Sequence, residues 1–184
     1  MTGDQPRGVR INFRNVAVRT LTAQDIAALR CLRRAAILAH PFAFGASVEE
    51  DAAVNSEFIA ASLADPNQSA VYGAFIDHKL VGIVGVFRHS GQKTRHRAQL
   101  WGVYVSPTAR GQGIARSLME AALAHVRQWS GVLQVHLAVS ELAQDARALY
   151  HSFGFRVWGL EPRALQWEGR FSNEYHLVLA LDDR

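Results

Sequence analysis

The sequence predicts an α/β domain, and three observations carry that expectation. Apolar residues change period repeatedly, from two in short runs to three and four in longer ones. Three strand-like runs follow one another between about residues 70 and 105, the first two joined as a tight hairpin. The last of them passes through Ser106-Pro107 and a loop with two glycines into a long amphipathic helix.

Taken in order, residues 1–14 are polar with Gly, Pro and Arg and are expected to form a loose tail, leaving 15–184 as one domain. Val16–Leu21 reads as a first strand. Thr22 then stands as an N-cap with Asp25 in the capping-box position, ahead of a helix whose apolar stripe is Leu29, Leu32, Ala36 and Ile37. His40-Pro41 stops that helix. Phe42, Phe44 and the acidic run Glu49-Glu50-Asp51 follow, and a short helix fits Ser56–Ala64, ended by Asp65-Pro66-Asn67. Strands Ala70–Ile76 and Leu80–Phe87 are joined by Asp77-His78-Lys79, and a further strand runs from about Arg97 to Val105. Ile114, Leu118, Ala122, Val126 and Trp129 line one face of the long helix, with Ser130-Gly131 at its end. Leu133–Val139 is the next strand. A helix through Leu142, Ala146, Leu149, Tyr150 and Phe153 stops at Gly154. The last two strands, near Phe155–Gly159 and Tyr175–Leu181, flank the turn residues Glu168-Gly169-Arg170. That makes seven strands and four helices, with no internal repeat.

Composition narrows the class. With 184 residues, 49% of them apolar, the chain can bury a full core. The single cysteine, Cys31, cannot form an internal disulfide and reads as a small apolar helix residue. The N-terminus lacks the apolar core of a signal peptide, and no segment reaches the roughly 20 apolar residues of a membrane span, so a cytoplasmic protein without membrane contact is expected. The net charge of +4 is spread along the chain, which suits an anionic ligand but does not argue for nucleic acid. The densest basic cluster, Lys93, Arg95, His96 and Arg97, reads as a solvated hairpin loop. The histidines show no paired ligand spacing, so no metal site is expected.

The glycine loop, Arg110-Gly111-Gln112-Gly113-Ile114-Ala115-Arg116, carries the chemistry. It aims a helix N-terminus, with unpaired N–H groups and the positive end of the dipole, at whatever anion sits above it. Glycine lets the backbone approach that anion closely, and Arg110 adds a charge able to bond phosphate twice. The Lys-Ser/Thr ending of a nucleotide P-loop is absent, and Arg116 stands where a dinucleotide fingerprint needs Gly or Ala. Taken alone, the loop is also consistent with a glycine turn that merely starts a helix.

A second motif downstream changes that balance. Arg110-Gly111-Gln112-Gly113-Ile114-Ala115 matches [Arg/Gln]-x-x-Gly-x-[Gly/Ala]. Ala143-Gln144-Asp145-Ala146-Arg147-Ala148-Leu149-Tyr150, followed by Gly154-Phe155, matches Asn-x-x-Ala-x-x-Leu-Tyr then Gly-Phe in all but its first residue. Together they resemble the GNAT family of N-acetyltransferases, over about Val16 to Leu181. The resemblance implies a mostly antiparallel seven-stranded sheet, splayed between its fourth and fifth strands and flanked by about four helices, with acetyl-CoA in the cleft. It also implies that Val103, Tyr104 and Val105 offer backbone to the pantetheine arm and that Gly111, Gln112, Gly113, Ile114 and Ala115 hold the pyrophosphate. Removal of Arg110 is expected to weaken binding more than chemistry. By the same resemblance Tyr150 stands near the thioester sulfur as acid; its plainer role is packing beside Ala146, Leu149 and Phe153.

The implied reaction is acetyl transfer to a primary amine, whether a small molecule, a protein N-terminus or a lysine, by direct attack on the thioester. The base is open. Relatives place Glu or His on the fourth strand, but strict alternation there puts Arg97, Gln99, Trp101, Val103 and Val105 on one face, and none is an ordinary base. His96 or Ala98 would face that way only if a bulge shifted the register, and Glu49, Glu50 or a water chain are further candidates. Ala143 replaces the family Asn, a loss Gln144 or Ser140 could offset. Glu49-Glu50-Asp51 could attract a cationic amine or simply be a solvated helix start. Two other classes stay in view: a non-catalytic acyl-CoA sensor on the same fold, and a nucleic-acid binder using the Lys93 hairpin. A homodimer is left open.

Overall fold

The computed structural model describes residues 16–51, 59–60 and 63–181. The tail expected over 1–14 lies outside them, as does most of the short helix expected over 56–64. Seven strands form one sheet in the order β1-β2-β3-β4-β5-β7-β6. They are β1 (Val16–Thr20), β2 (Ser69–Ile76), β3 (Lys79–Arg88), β4 (Arg97–Val105), β5 (Gln134–Ser140), β6 (Arg156–Trp167) and β7 (Arg170–Ala180). Among the described residues three α-helices accompany it: α1 (Ile26–Ala39), α2 (Ile114–Val126) and α3 (Gln144–Ser152).

Local chemistry sets the boundaries. The Thr22 N–H donates to Asp25 Oδ2 at 2.8 Å, so the capping box forms around one turn of 3₁₀ helix ahead of α1. Arg19 donates to both Asp25 oxygens at 2.7 Å, which holds that carboxyl down at about 2. Asp77 and His78 adopt φ of 46° and 66°, a two-residue turn whose twist suits the β2–β3 hairpin.

Each face of the sheet has its own core. Leu118, Met119, Ala122, Leu123 and Val126 of α2 pack on Val84, Val86, Ala98, Leu100 and Val105. On the opposite face Leu29, Leu32 and Ala36 of α1 cover Val71, Phe75, Ile83 and Tyr104. Each of these buried large aliphatic side chains contributes about 1.5–3 kcal/mol. α1 leaves Cys31 exposed, contrary to its reading as an apolar helix residue, because its stripe passes through Leu29, Leu32 and Ala36 instead.

Three expectations need correction. Trp129 is buried but lies beyond α2, which ends at Val126. The last hairpin is far longer than expected. β6 continues to Trp167 and β7 begins at Arg170, around a tight Glu168-Gly169 turn. Pro162 and the exposed charges of this stretch hide the strand pattern; a register shift between Glu161 and Leu165, with Arg163 at φ 54°, absorbs the missing proline N–H.

The third correction concerns β4. Trp101 pairs with Gly85 and Tyr104 with Ile83, so Gly102 and Val103 together face Val84. Gly102 sits at φ +66°, the left-handed conformation of a bulge glycine. The extra residue ends the alternation: Tyr104 joins Trp101 and Gln99 on the α1 face, and Val105 turns to the α2 face. The expectation that Val105 shares a face with Trp101 therefore fails.

Candidate functional site

β4 and β5 pair in parallel over only three positions, Arg97 with Gln134, Ala98 with Val135 and Gln99 with His136. Past Gln99 they separate, and the bulge at Gly102 bends β4 within the opening. The wedge between them is the expected splay. Three connected spaces lie in and around it.

The first, about 790 Å³, runs between the end of β4, the glycine loop and the start of α3. Val103, Tyr104, Val105, Arg110, Gly111, Gly113, Ile114 and Ala115 line it, so of the residues expected here only Gln112 stands aside. Gly111 and Gly113 both hold φ of +74°, with nothing within 4 Å of where a Cβ would stand. Conformation rather than crowding requires glycine at both. Among the described residues, none of the amides from Gly111 to Arg116 donates to a backbone or side-chain acceptor. Six consecutive free N–H groups at the mouth of α2 make a cradle for a polyanion.

Arg110 braces this cleft. Its Nε donates to Val105 O at 3.0 Å, and its Nη2 meets His40 Nε2, also at 3.0 Å. Two of its five N–H groups are thus committed to joining loop, strand and the end of α1. Ala143 lines the same cleft, with Gln144 beside it. Ser140 is committed elsewhere, its Oγ bonded to Ser172 Oγ at 2.9 Å and accepting from the Leu142 N–H at 3.2 Å. Gln144 is thus the better placed of the two to replace the family Asn.

The second space, about 940 Å³, opens on the α1 face. Phe44, Phe87, Trp101 and Leu100 give it an apolar wall, and among the described residues Asp51 and Glu174 are its carboxylates. Arg33, 6% exposed, donates Nε to Asp51 Oδ2 at 3.1 Å with Nη2 on the same oxygen, and its Cζ lies 4.6 Å from the Phe44 ring centre. Its Nη1 has no hydrogen-bond partner among the described residues and sits against Gly102. Asp51 is therefore neutralised by an aromatic-flanked guanidinium. Glu174 is not, and burial raises its carboxyl above the ordinary range. Sequence reasoning missed both Arg33, hidden among basic α1 residues, and Glu174, which fell one residue before the expected start of the last strand.

A small space of about 70 Å³ joins the two at the splay, lined by Phe44, Gly102, Val103, Ser140, Ala143 and Tyr150. Tyr150 is 6% exposed and stacks edge-on with Phe155 at 6.1 Å. Burial pushes its phenol above its ordinary value, so the hydroxyl keeps its proton. No hydrogen-bond partner for it is found among the described residues. Packing and access to the junction are both satisfied at this one residue.

Known proteins match this arrangement. The family model described as Acetyltransferase (GNAT) family matches residues 32–155. An uncharacterised N-acetyltransferase of Mycobacterium tuberculosis is 30% identical over 131 residues, 71% of this chain and 79% of that protein. Streptothricin acetyltransferase from Escherichia coli is 32% identical over 109 residues, 58% of each chain. A putative acetyltransferase from Salmonella typhimurium, solved with its cofactor acetyl-CoA, superimposes with a TM-score of 0.80 at 21% identity, covering 92% of this chain and 96% of that one. With the family model matched over well more than half of its length, and with this fold, the chain belongs to the GNAT family and is an acetyltransferase that uses acetyl-CoA.

Proposed function

We propose that the chain acetylates a primary amine by direct attack of the amine nitrogen on the thioester carbon of acetyl-CoA. The observation that carries this reading is the junction beneath Tyr150, where a cleft suited to a long anionic donor meets a separate cavity suited to an acceptor. Acetyl-CoA supplies an activated acyl carbon. The C–N bond forms as the C–S bond breaks, giving an amide and the free CoA thiol.

The chain's own groups divide the remaining work. Amides Gly111–Arg116 hold the pyrophosphate, a dipole contribution of about 0.3–1 kcal/mol in exposed sites and up to about 2 where partly buried. Val103 and Val105 lie in the H-bonding phase that faces away from β3, since Ser106 N donates to Val81 O, so their backbone edges are offered to the pantetheine arm. The Val105 carbonyl already accepts from Arg110, which leaves the Val103 edge and the Val105 N–H for that pairing. Tyr150 donates a hydrogen bond to the departing sulfur. Because burial raises its phenol while a thiol titrates near ~8.5, full proton transfer from Tyr150 is uphill, and the hydrogen bond is its main contribution.

The test is turnover with acetyl-CoA against monoamines, polyamines, amino acids and short peptides, following thiol release and the acetylated product by mass. Amide formation with sequential kinetics is expected. Tight CoA binding with no acetylated amine anywhere in the panel would instead make the protein an acyl-CoA sensor.

A further inference from the structure

We infer that Glu174 is the general base of this reaction, taking the proton of the incoming ammonium at the mouth of the junction. The inference rests on the amine-transfer reading above and supplies its missing proton acceptor.

Geometry comes first. Glu174 lines the acceptor cavity together with Ala138 of β5 and Trp101 and Gly102 of β4, which also line the junction. Its Cα is the register partner of Ser140, another junction residue. Tyr150 reaches the junction from α3 and packs in the α2-face core, whereas Glu174 lines the cavity on the α1 face. One meets the leaving sulfur and the other the entering nitrogen.

Elimination points the same way. Asp51, the other carboxylate among the described residues of the cavity, is bound by Arg33. Glu49 and Glu50, candidates by sequence, are exposed and do not line the cavity. No described residue donates a hydrogen bond to the Glu174 carboxylate, so its lone pairs are available to an ammonium or to one bridging water. The neighbouring Glu161, by contrast, is held by His176 Nε2 at 2.9 Å.

The charges facing Glu174 are few. His176 on β7 lowers its proton affinity, Glu161 on β6 raises it, and Arg33, Asp51 and Arg88 line the shared cavity, while β5 brings Ala138 alone to it. Burial outweighs these, so the carboxylate binds a proton more readily than an exposed Glu. That suits a group that must accept a proton near neutral pH.

The experiment is the pH profile of kcat/KM for the best amine, in wild type, Glu174→Gln and Glu174→Asp. Wild type is expected to be flat between the Glu174 acid limb and the pKa of the amine. E174Q is expected to lose about 10²-fold at pH 7 and to rise about tenfold per pH unit as solvent supplies free amine. E174D should keep the plateau at reduced height, and both variants should keep wild-type CoA affinity. An E174Q profile parallel to wild type and within about threefold of it overturns the assignment while leaving amine transfer intact. A wild-type protein that acetylates no amine overturns both.

Discussion

At the scale of single residues, position rather than type decides role. Tyr150 is as buried as a core residue, yet it lines the small space that lies between the donor cleft and the acceptor cavity. Its substitution therefore separates packing from chemistry. Tyr150→Phe keeps the ring against Phe155 and removes only the hydroxyl. We expect kcat to fall about 10²-fold with the KM for acetyl-CoA nearly unchanged, measured under saturating amine. Tyr150 was legible in the sequence because a short motif fixes its place on a helix. Glu174 and Arg33 were not. One stood just before the strand start that the sequence pattern suggests, in the part of β7 whose partners lie across the hairpin, and the other is a buried guanidinium whose carboxylate partner is 18 residues away. Long-range pairing of this kind leaves no periodic trace in the chain.

Among the elements, the glycine loop and α2 behave as the sequence leads one to expect, since turn chemistry there is local. Gly113 caps α2 at φ +74° in open space, so an added methyl meets strain without a clash. The left-handed conformation costs an L-residue about 1–2 kcal/mol. Gly113→Ala should weaken CoA binding by about tenfold, read by calorimetry, with a smaller change in the unliganded melting temperature. The β6–β7 hairpin is the opposite case. Its strand pairing outruns the local pattern because, beyond the bulge between Glu161 and Leu165, β7 supplies a partner for Leu165, Gln166 and Trp167. Cross-strand pairing can make a strand of residues whose own propensity is poor. The same element-level logic explains why α1, α2, α3 and the β2–β3 hairpin were legible to within a few residues.

For the molecule as a whole, the sheet acts as a partition that opens where β4 and β5 separate. Donor and acceptor spaces share Ala43 and Phe44 at its rim and otherwise have separate walls. The partition also carries a pH dependence of stability. His136 on β5 is pushed down to about 4, chiefly by burial and then by Arg97, His89 and His96. The unfolded chain, titrating at 6.5, binds a proton that the folded chain refuses between those values. Stability from this residue is thus complete above about pH 6.5 and lost progressively as pH falls toward 4. Urea midpoints measured across that window should decline, and His136→Gln should flatten the decline. The bulge at Gly102 has a last consequence. It changes the parity of β4, so that odd positions before it and even positions after it serve the same side of the sheet. Removing Gly102 altogether should therefore leave every later side chain on its present face: Val103 alone would stand opposite Val84, with Tyr104 still opposite Ile83 and Val105 opposite Gly82, in unbroken alternation from Trp101. What the deletion takes away is the bend at the opening of the wedge, whereas Gly102→Ala keeps the bulge and meets Arg33 Nη1, 3.2 Å from the new methyl, and the left-handed strain. The deletion is expected to lose CoA affinity out of proportion to any change in melting temperature, and Gly102→Ala the reverse; calorimetry beside thermal melting would show that the extra residue serves the shape of the opening rather than the facing of the strand.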